Sequence, residues 1–394
     1  MYGVIDIGSN TIRLVVYERT NGRLEQILNK KITAGLAGYI NKNHEMRMRG
    51  VQVAVESLME LKKVTDNLHL DGVSVFATAP LRNINNTEEV VKQIEEETGF
   101  QVQVLSGRQE AAYGFAGLRG ESSVDEGLMI DLGGGSAELV AFDHNDSLYS
   151  CSIPWGSLNL YRRYVKGITP SKKEIEEIGH LMKKQFEKVK FPEGCNTRLL
   201  CAEGGTARAV DKMIRAMYKE GAEDAPGRYS SKMLRKLLDD YCERPKHMTD
   251  QLLRVAPERI HTFVPGLVVL NKAVEVFGVE EIVTVGFGVR EGFLIQACPD
   301  KPTKKSSSKA ADKKTLEKTS KKQETKKTAE KNENKAENKK ANKTKEEATA
   351  KSEGKKPSAE KPEAQKPEDK KPATEKQVAE KQATQTPDAE KPEA

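Results

Sequence analysis

Residues 4–17 read VIDIGSNTIRLVVY, and residues 129–142 read MIDLGGGSAELVAF. The two stretches align without a gap at an offset of 125 residues. Each is an apolar run ending in an aspartate (Asp6 or Asp131), followed by a turn of small residues and a second apolar run. Small residues between two strand-like runs predict a β-hairpin. Finding the same hairpin twice predicts two similar halves, each opening with it.

Working outward, strand signals at 24–31, 73–77 and 102–105 alternate with helix signals at 46–68, 87–98 and 108–118. The first of these helices rests on the spacing of Met48, Val51, Val55, Leu58, Met59 and Leu61. Past the second hairpin, strands are expected at 147–153, 199–202 and 282–285. Helices are expected at 171–189, from the turn at 203–206 to about 218, at 231–241, at 258–277 and after 290. Ser171 and Glu174 form a capping-box pattern. Strands alternating with helices mean α/β layers. The expected division is a first domain at 1–122, a second at 123–300 whose last helix returns to the first, and a tail at 301–394.

The tail has no aromatic residue, and Leu316 and Val378 are its only sizeable aliphatics. It cannot bury enough apolar surface to offset the entropy of ordering, so it is read as disordered. It carries 27 lysines and 18 acidic residues, whereas residues 1–300 carry 38 basic and 41 acidic ones. The basic character of the chain therefore belongs to the tail, and the mildly acidic body argues against a nucleic-acid-binding domain. The tail reads as a solubilising extension, or as a polycation that holds a polyanionic substrate nearby. Five dispersed cysteines without C-x-x-C spacing suggest reduced thiols. The first residues run straight into a strand, and no run of 18 apolar residues occurs. No leader, no membrane span and a cytoplasmic location are expected. The six histidines are unclustered and lack metal-ligand spacing.

The turns carry the chemistry. Gly8, Ser9, Asn10 and Thr11 form one, and Gly133, Gly134, Gly135 and Ser136 form the other. Such slim turns let backbone N–H groups approach an anion, and the Thr11 and Ser136 hydroxyls can add to the cradle. A carboxylate directly before each phosphate cradle needs a compensating cation. Mg²⁺ supplies it, since it takes one or two carboxylates together with phosphate oxygens; another divalent ion such as Mn²⁺ would also serve.

The two hairpins and the later Gly-Gly-Thr at 204–206 resemble the phosphate-1, phosphate-2 and nucleotide-region signatures of the superfamily of actin, hexokinase and the heat-shock chaperone ATPases. Four further elements narrow the resemblance: ATAPLR at 77–82, LSGRQEA at 105–111, FVPG at 263–266 and VREG at 289–292. Together they resemble, over nearly all of residues 1–296, the exopolyphosphatase / guanosine pentaphosphate phosphohydrolase family. The resemblance implies an actin-like, ribonuclease H-like two-domain core with the active site in the interdomain cleft. It implies Glu110 as general base, and Arg82, Arg208 and Arg290 as phosphate-contacting cations beside Gly205 and Thr206. It places Glu138 with Asp6 and Asp131 at the metal. The substrate it implies is inorganic polyphosphate, losing terminal orthophosphate, or alternatively guanosine pentaphosphate. A homodimer is compatible with it. Longer members carry a further helical domain where the tail here begins.

Three departures stand out. Gln109 replaces a common Glu, Ala137 a common Thr, and Glu203 precedes Gly-Gly-Thr where a small residue is frequent. Two other readings stay open: a sugar or acetate kinase of the same superfamily, and a non-catalytic sensor of polyphosphate or alarmone.

Overall fold

Both hairpins form, and each seeds a sheet. In a computed structural model of the chain, which describes residues 1–20, 23–218 and 227–297, β1 (Tyr2–Ile7) and β2 (Ile12–Thr20) pair antiparallel, and so do β6 (Glu126–Leu132) and β7 (Ala137–Asp143). The first hairpin is extended by β3 (Arg23–Ile32), β4 (Gly72–Ala77) and β5 (Val102–Val104) into a five-stranded sheet of order β3-β2-β1-β4-β5. The second is extended by β8 (Asp146–Ile153), β9 (Leu199–Glu203), β10 (Arg228–Ser230) and β11 (Glu281–Thr284) into a six-stranded sheet of order β10-β11-β9-β6-β7-β8. In each sheet the hairpin's first strand also pairs in parallel with a later strand, β1 with β4 and β6 with β9. A parallel neighbour needs a helical crossover. In the first sheet that crossover contains α1 (Met48–Asn67).

The remaining helices are α2 (Ala79–Arg82), α3 (Thr87–Thr98), α4 (Gly107–Glu121), α5 (Ser157–Tyr164) and α6 (Lys172–Phe186). They continue as α7 (Gly204–Tyr218), α8 (Ser231–Glu243), α9 (Pro245–Val255), α10 (Phe263–Phe277) and α11 (Val289–Ala297). Leu58 and Leu61 of α1 and Ile94 of α3 cover one face of the first sheet with Ile5, Ile7 and Leu14. The larger core lies under the second sheet, where α6, α7, α8, α9 and α10 bury Ile130, Leu132 and Leu200. All described residues belong to one compact unit, Met1–Thr303. Expectations for 301–394 lie outside the described residues.

The other face of each sheet is covered by a helix from the opposite half. Ala111, Phe115 and Leu118 of α4 pack on Met129, Val140 and Phe142 of the second sheet. Phe293 and Leu294 of α11 pack on Val4, Tyr17 and Phe76 of the first. The return of the last helix was expected; the reciprocal crossing of α4 was not. The two crossing helices touch at glycines: a Cβ on Gly292 would overlap the carbonyl of Tyr113, and one on Gly117 would overlap that of Gly288.

One predicted helix is broken. Residues 258–277 divide into a single 3-10 turn (Pro257–Arg259) and α10, which starts at Phe263. Pro265 explains the break. Its ring clashes with the carbonyl four residues back, so it is tolerated only in a first helical turn. Four short elements escaped the sequence reading: α2, α5, α9 and β10. The four described cysteines are free thiols, and among the described residues no helix is long and apolar enough to cross a membrane.

A buried polar contact ties α11 to the first sheet. The Tyr17 hydroxyl donates to Glu291, and the same carboxylate accepts from the Gly288 backbone N–H at 2.8 Å. Hydrogen bonds to charged groups contribute about 1.5–3 kcal/mol each. Tyr17→Phe should therefore lower the urea unfolding midpoint by an amount equivalent to about 1.5–3 kcal/mol. An unchanged midpoint would show that the contact does not hold the helix.

Candidate active site

The two hairpin tips meet. A Cβ on Gly135 would lie 2.5 Å from Ser9 Oγ and 2.6 Å from Ala79 Cβ, so only glycine lets the tips approach this closely. Each tip is held from behind through its carbonyls. Gly35 and Ala37 donate to Asn10 and Ser9 at 3.0 Å. Ser157, Leu158 and Asn159, at the start of α5, donate to Gly133 and Gly134 at 3.0 Å, and Asn159 Nδ2 donates to Gly135 at 2.8 Å. The N–H groups of Ser9, Asn10, Gly134 and Gly135 find no acceptor among the described residues. They line a cleft whose wall also includes Gly8, Thr11, Gly133, Ser136 and Gly205. Buried donors left unpaired in a native fold call for a ligand or water.

Register sets the charges. Asp6 lies opposite Arg13 across the first hairpin, and Arg13 lies opposite Lys31 on β3. Directly opposed residues share a face, so one row reads Asp6–Arg13–Lys31. In the second sheet the corresponding row reads Glu203–Asp131–Glu138–Ser152. Arg13 and Glu138 are equivalent positions of the repeat, at the same offset of 125 residues. The repeat thus places a cation at this position in one half and a carboxylate in the other.

Four guanidinium groups converge on the cleft: Arg13, Arg208, Arg259 and Arg290. Burial pulls Arg13 down to about 10, with repulsion from Arg290 and Arg208 adding to it. Burial also lowers Arg208, with Arg290 contributing, and lowers Arg259, with Arg208 contributing. Arg290 moves the other way. Burial opposes its charge, but Asp6, Glu291, Tyr17 and Asp131 outweigh burial, and its Nη1 lies 3.4 Å from Asp6 Oδ2. Among the described residues, buried Arg13 Nε and Arg290 Nε have no hydrogen-bond partner. Arg259 lies flat on Gly205, where any Cβ would overlap the guanidinium.

Opposite them stand Asp6, Asp131 and Glu110. Burial raises Asp6, and it pushes Asp131 up to about 6, with Asp6 and Glu291 adding repulsion. Glu110 sits in the first turn of α4, whose start is fixed by a capping box between Ser106 and Gln109. The Gln109 departure thus fills the same capping role as a Glu. Burial drives Glu110 up to about 7, even though Arg82 Nη1 donates to its Oε2 at 2.5 Å. Arg82 also donates to the Leu105 carbonyl at 3.0 Å and to Ser136 Oγ at 3.2 Å, and its Nη2 lies 3.7 Å from Glu138.

The cleft wall thus brings together Asp6, Asp131, Glu110, Arg208 and Arg290 with both turns. Three expected site residues stand elsewhere. Glu138 is fully buried behind Arg82, and its Oε1 accepts from Ser152 at 2.7 Å. Among the described residues no three acidic, histidine or cysteine side chains converge tightly enough to hold a metal. Of the expected ligands Asp6, Asp131 and Glu138, the first two line the cleft and Glu138 does not. Thr206 does not reach the cleft. The helix already begins at Gly204, so its side chain is turned onto Gly266 of α10. Arg82 is occupied by Glu110 and does not line the wall. Arg13 and Arg259 went unnoticed in the sequence. Arg13 was legible from its position opposite Asp6. Arg259 had only its neighbouring prolines as a signal. The Glu203 departure is a fully buried carboxylate with no partner for either oxygen among the described residues, raised well above its ordinary value by burial and then by Asp131 and Glu291.

Twin glycine-turn hairpins facing each other across a charged cleft give the chain an actin-like fold. The profile of the Ppx/GppA phosphatase family matches residues 15–301, and the chain belongs to that family. A guanosine-5'-triphosphate,3'-diphosphate pyrophosphatase of Aeromonas hydrophila is 25% identical over 297 residues, covering 75% of this chain and 58% of the relative. The chain thus spans little more than half of that protein. Exopolyphosphatase 1 of Mycobacterium tuberculosis is 23% identical over 299 residues, covering 75% of this chain and 87% of the relative. In fold, the Aquifex aeolicus member of the Ppx/GppA family superposes with a TM-score of 0.65 at 24% identity, over 77% of this chain and 98% of that one.

The raised carboxyls affect stability. Asp131 and Glu110 hold protons more tightly folded than unfolded. The stability this contributes is complete below their ordinary values and is lost as pH rises through about 6 to 7. The ligand-free protein in chelator should show a urea midpoint that falls between about pH 5 and pH 8, and Asp131→Asn should flatten that fall. A midpoint that rises across this window would contradict the assignment.

Proposed function

We propose that the protein is a phosphoanhydride hydrolase of exopolyphosphatase type, releasing terminal orthophosphate from inorganic polyphosphate. The observation that carries this reading is the convergence, in one cleft, of unpaired N–H groups from both tips, four guanidinium groups and three carboxyls with raised pKa values. Arg290 pairs with Asp6 and Arg82 with Glu110, but among the described residues neither the cations Arg13, Arg208 and Arg259 nor the carboxylate of Asp131 has an ion pair within 4.0 Å. A polyanion with a divalent cation satisfies both.

Asp6 and Asp131 fit a hard divalent ion such as Mg²⁺. They are two burial-strained carboxylates beside a phosphate cradle, the number Mg²⁺ takes while keeping water and phosphate oxygens. When bound, the ion would offset the charge of the terminal phosphates. The protein's own groups do the rest. The turn N–H groups and the arginines fix the terminal phosphate and stabilise charge on its oxygens as the anhydride opens. Glu110 is the general base. Its Oε2 is held by Arg82, which leaves Oε1 to accept a proton from the attacking water. Arg82, anchored on Leu105 and Ser136, positions that carboxylate and keeps part of it ionised against burial. Ser136 links the base to the second tip, so base and cradle move as one piece.

Guanosine pentaphosphate is the second reading, favoured by the name of the Aeromonas relative. It ends in the same anhydride.

Glu110→Gln should lower kcat by about 10²–10⁴-fold, with binding retained. Phosphate release from polyphosphate and guanosine pentaphosphate, with Mg²⁺ or chelator, measures it and ranks the two substrates. Full activity of Glu110→Gln would overturn the base assignment. In the wild type, kcat/KM should fall as pH drops below about 7, because protonated Glu110 cannot accept a proton. A profile flat down to pH 5 would contradict it.

A further inference from the structure

A second, shallower pocket shares a wall with the cleft. Arg13, Arg208 and Arg259 line both, and on the far side the pocket adds Lys31 and Lys212. Five cations face a single carboxylate, Glu258, and the rest of the lining is glycine and alanine.

The fold forces like charges together here in two independent ways. Lys31 lies directly opposite Arg13 across β2 and β3, and like charges in opposed cross-strand positions destabilise a sheet. Lys212 follows Arg208 by one helical turn on α7, and like charges at that spacing destabilise a helix. Neither lysine forms an ion pair within 4.0 Å among the described residues. Burial lowers the Lys31 amine, with repulsion from Arg259 and Arg13 adding to it. A pocket assembled from two unfavourable like-charge pairs favours an anion.

The lining also says what kind of anion. It has no aromatic ring to stack on a base and no amide to read one. Point charges on flexible stems suit a run of phosphates of variable register. We infer that Lys31 and Lys212 form a chain subsite, which takes the phosphates of inorganic polyphosphate beyond the anhydride being cleaved. This rests on the cleft's being the hydrolytic site. The subsite makes Lys31 and Lys212 specificity-determining residues: they hold the remainder of the chain while its end reacts between the hairpin tips.

The test is the full-length double variant Lys31→Gln/Lys212→Gln. KM for long-chain polyphosphate should rise about 3- to 20-fold with kcat unchanged. The slope of log KM against log salt should fall by about one to two, reflecting the lost contacts. The ligand-free thermal midpoint should stay level or rise, because repulsion is relieved. An unchanged KM and salt slope would overturn the inference. So would a lowered midpoint, which would make the lysines structural, or a loss confined to guanosine pentaphosphate, which would give the pocket to the nucleotide. Calorimetric titration of long-chain polyphosphate into Glu110→Gln, with and without the two lysine changes, decides the matter independently of turnover. Wild type that binds the chain but releases no phosphate defeats the hydrolase reading alone. Equal affinity in the two titrations defeats the subsite alone.

Discussion

The contact between the two hairpin tips is the constraint on which the rest depends. Gly135 against Ser9 leaves no room for a side chain, and that approach carries Asp6 and Asp131 to the two lips of one cleft. Elements behind each tip bind the carbonyl oxygens, so the unpaired groups left at the tips are N–H donors. An anion-binding surface follows from backbone geometry before any charged side chain is added. The side chains then decide which anion.

The two halves repeat in backbone and differ in charge. The second position after each turn carries Arg13 in one half and Glu138 in the other; Lys31 continues the first row, and Asp131 and Glu203 continue the second. Phosphoryl transfer rests mainly on positioning and electrostatics, and two such rows supply both signs without separate binding loops. Burial sharpens the effect: Glu110, kept partly ionised by Arg82, is pushed up to about 7, where a general base is most effective. The exchange of α4 and α11 between the sheets completes the design. Glu110 rides on a helix whose body packs on the second sheet, and Arg290 on one that packs on the first.

Much of this was legible in the sequence because it is local. A strand ending in aspartate, a turn of small residues and a fixed repeat offset depend on a dozen neighbouring residues, and both hairpins formed as read. The capping boxes at Ser106 and Ser171 are equally local, though only the latter was recognised. What escaped depends on tertiary register. Glu138 and Thr206 carry the right chemical groups, but Glu138 is taken up behind Arg82, and Thr206 is turned inward by the early start of α7. Arg13, by contrast, was legible opposite Asp6 in the local hairpin register and was passed over. Arg259 lies against Gly205 from the short turn that precedes α10, whose start Pro265 delays to Phe263, a consequence that periodicity alone does not reveal.

The central claim is that the phosphoanhydride end lodges between the tips. The most direct measurement is a crystal structure of Glu110→Gln with tripolyphosphate and Mg²⁺. The account predicts a terminal phosphate within hydrogen-bond reach of the N–H groups of Ser9, Asn10, Gly134 and Gly135, with the ion at Asp6 and Asp131. A phosphate chain bound elsewhere, with those four N–H groups still unoccupied, would contradict it.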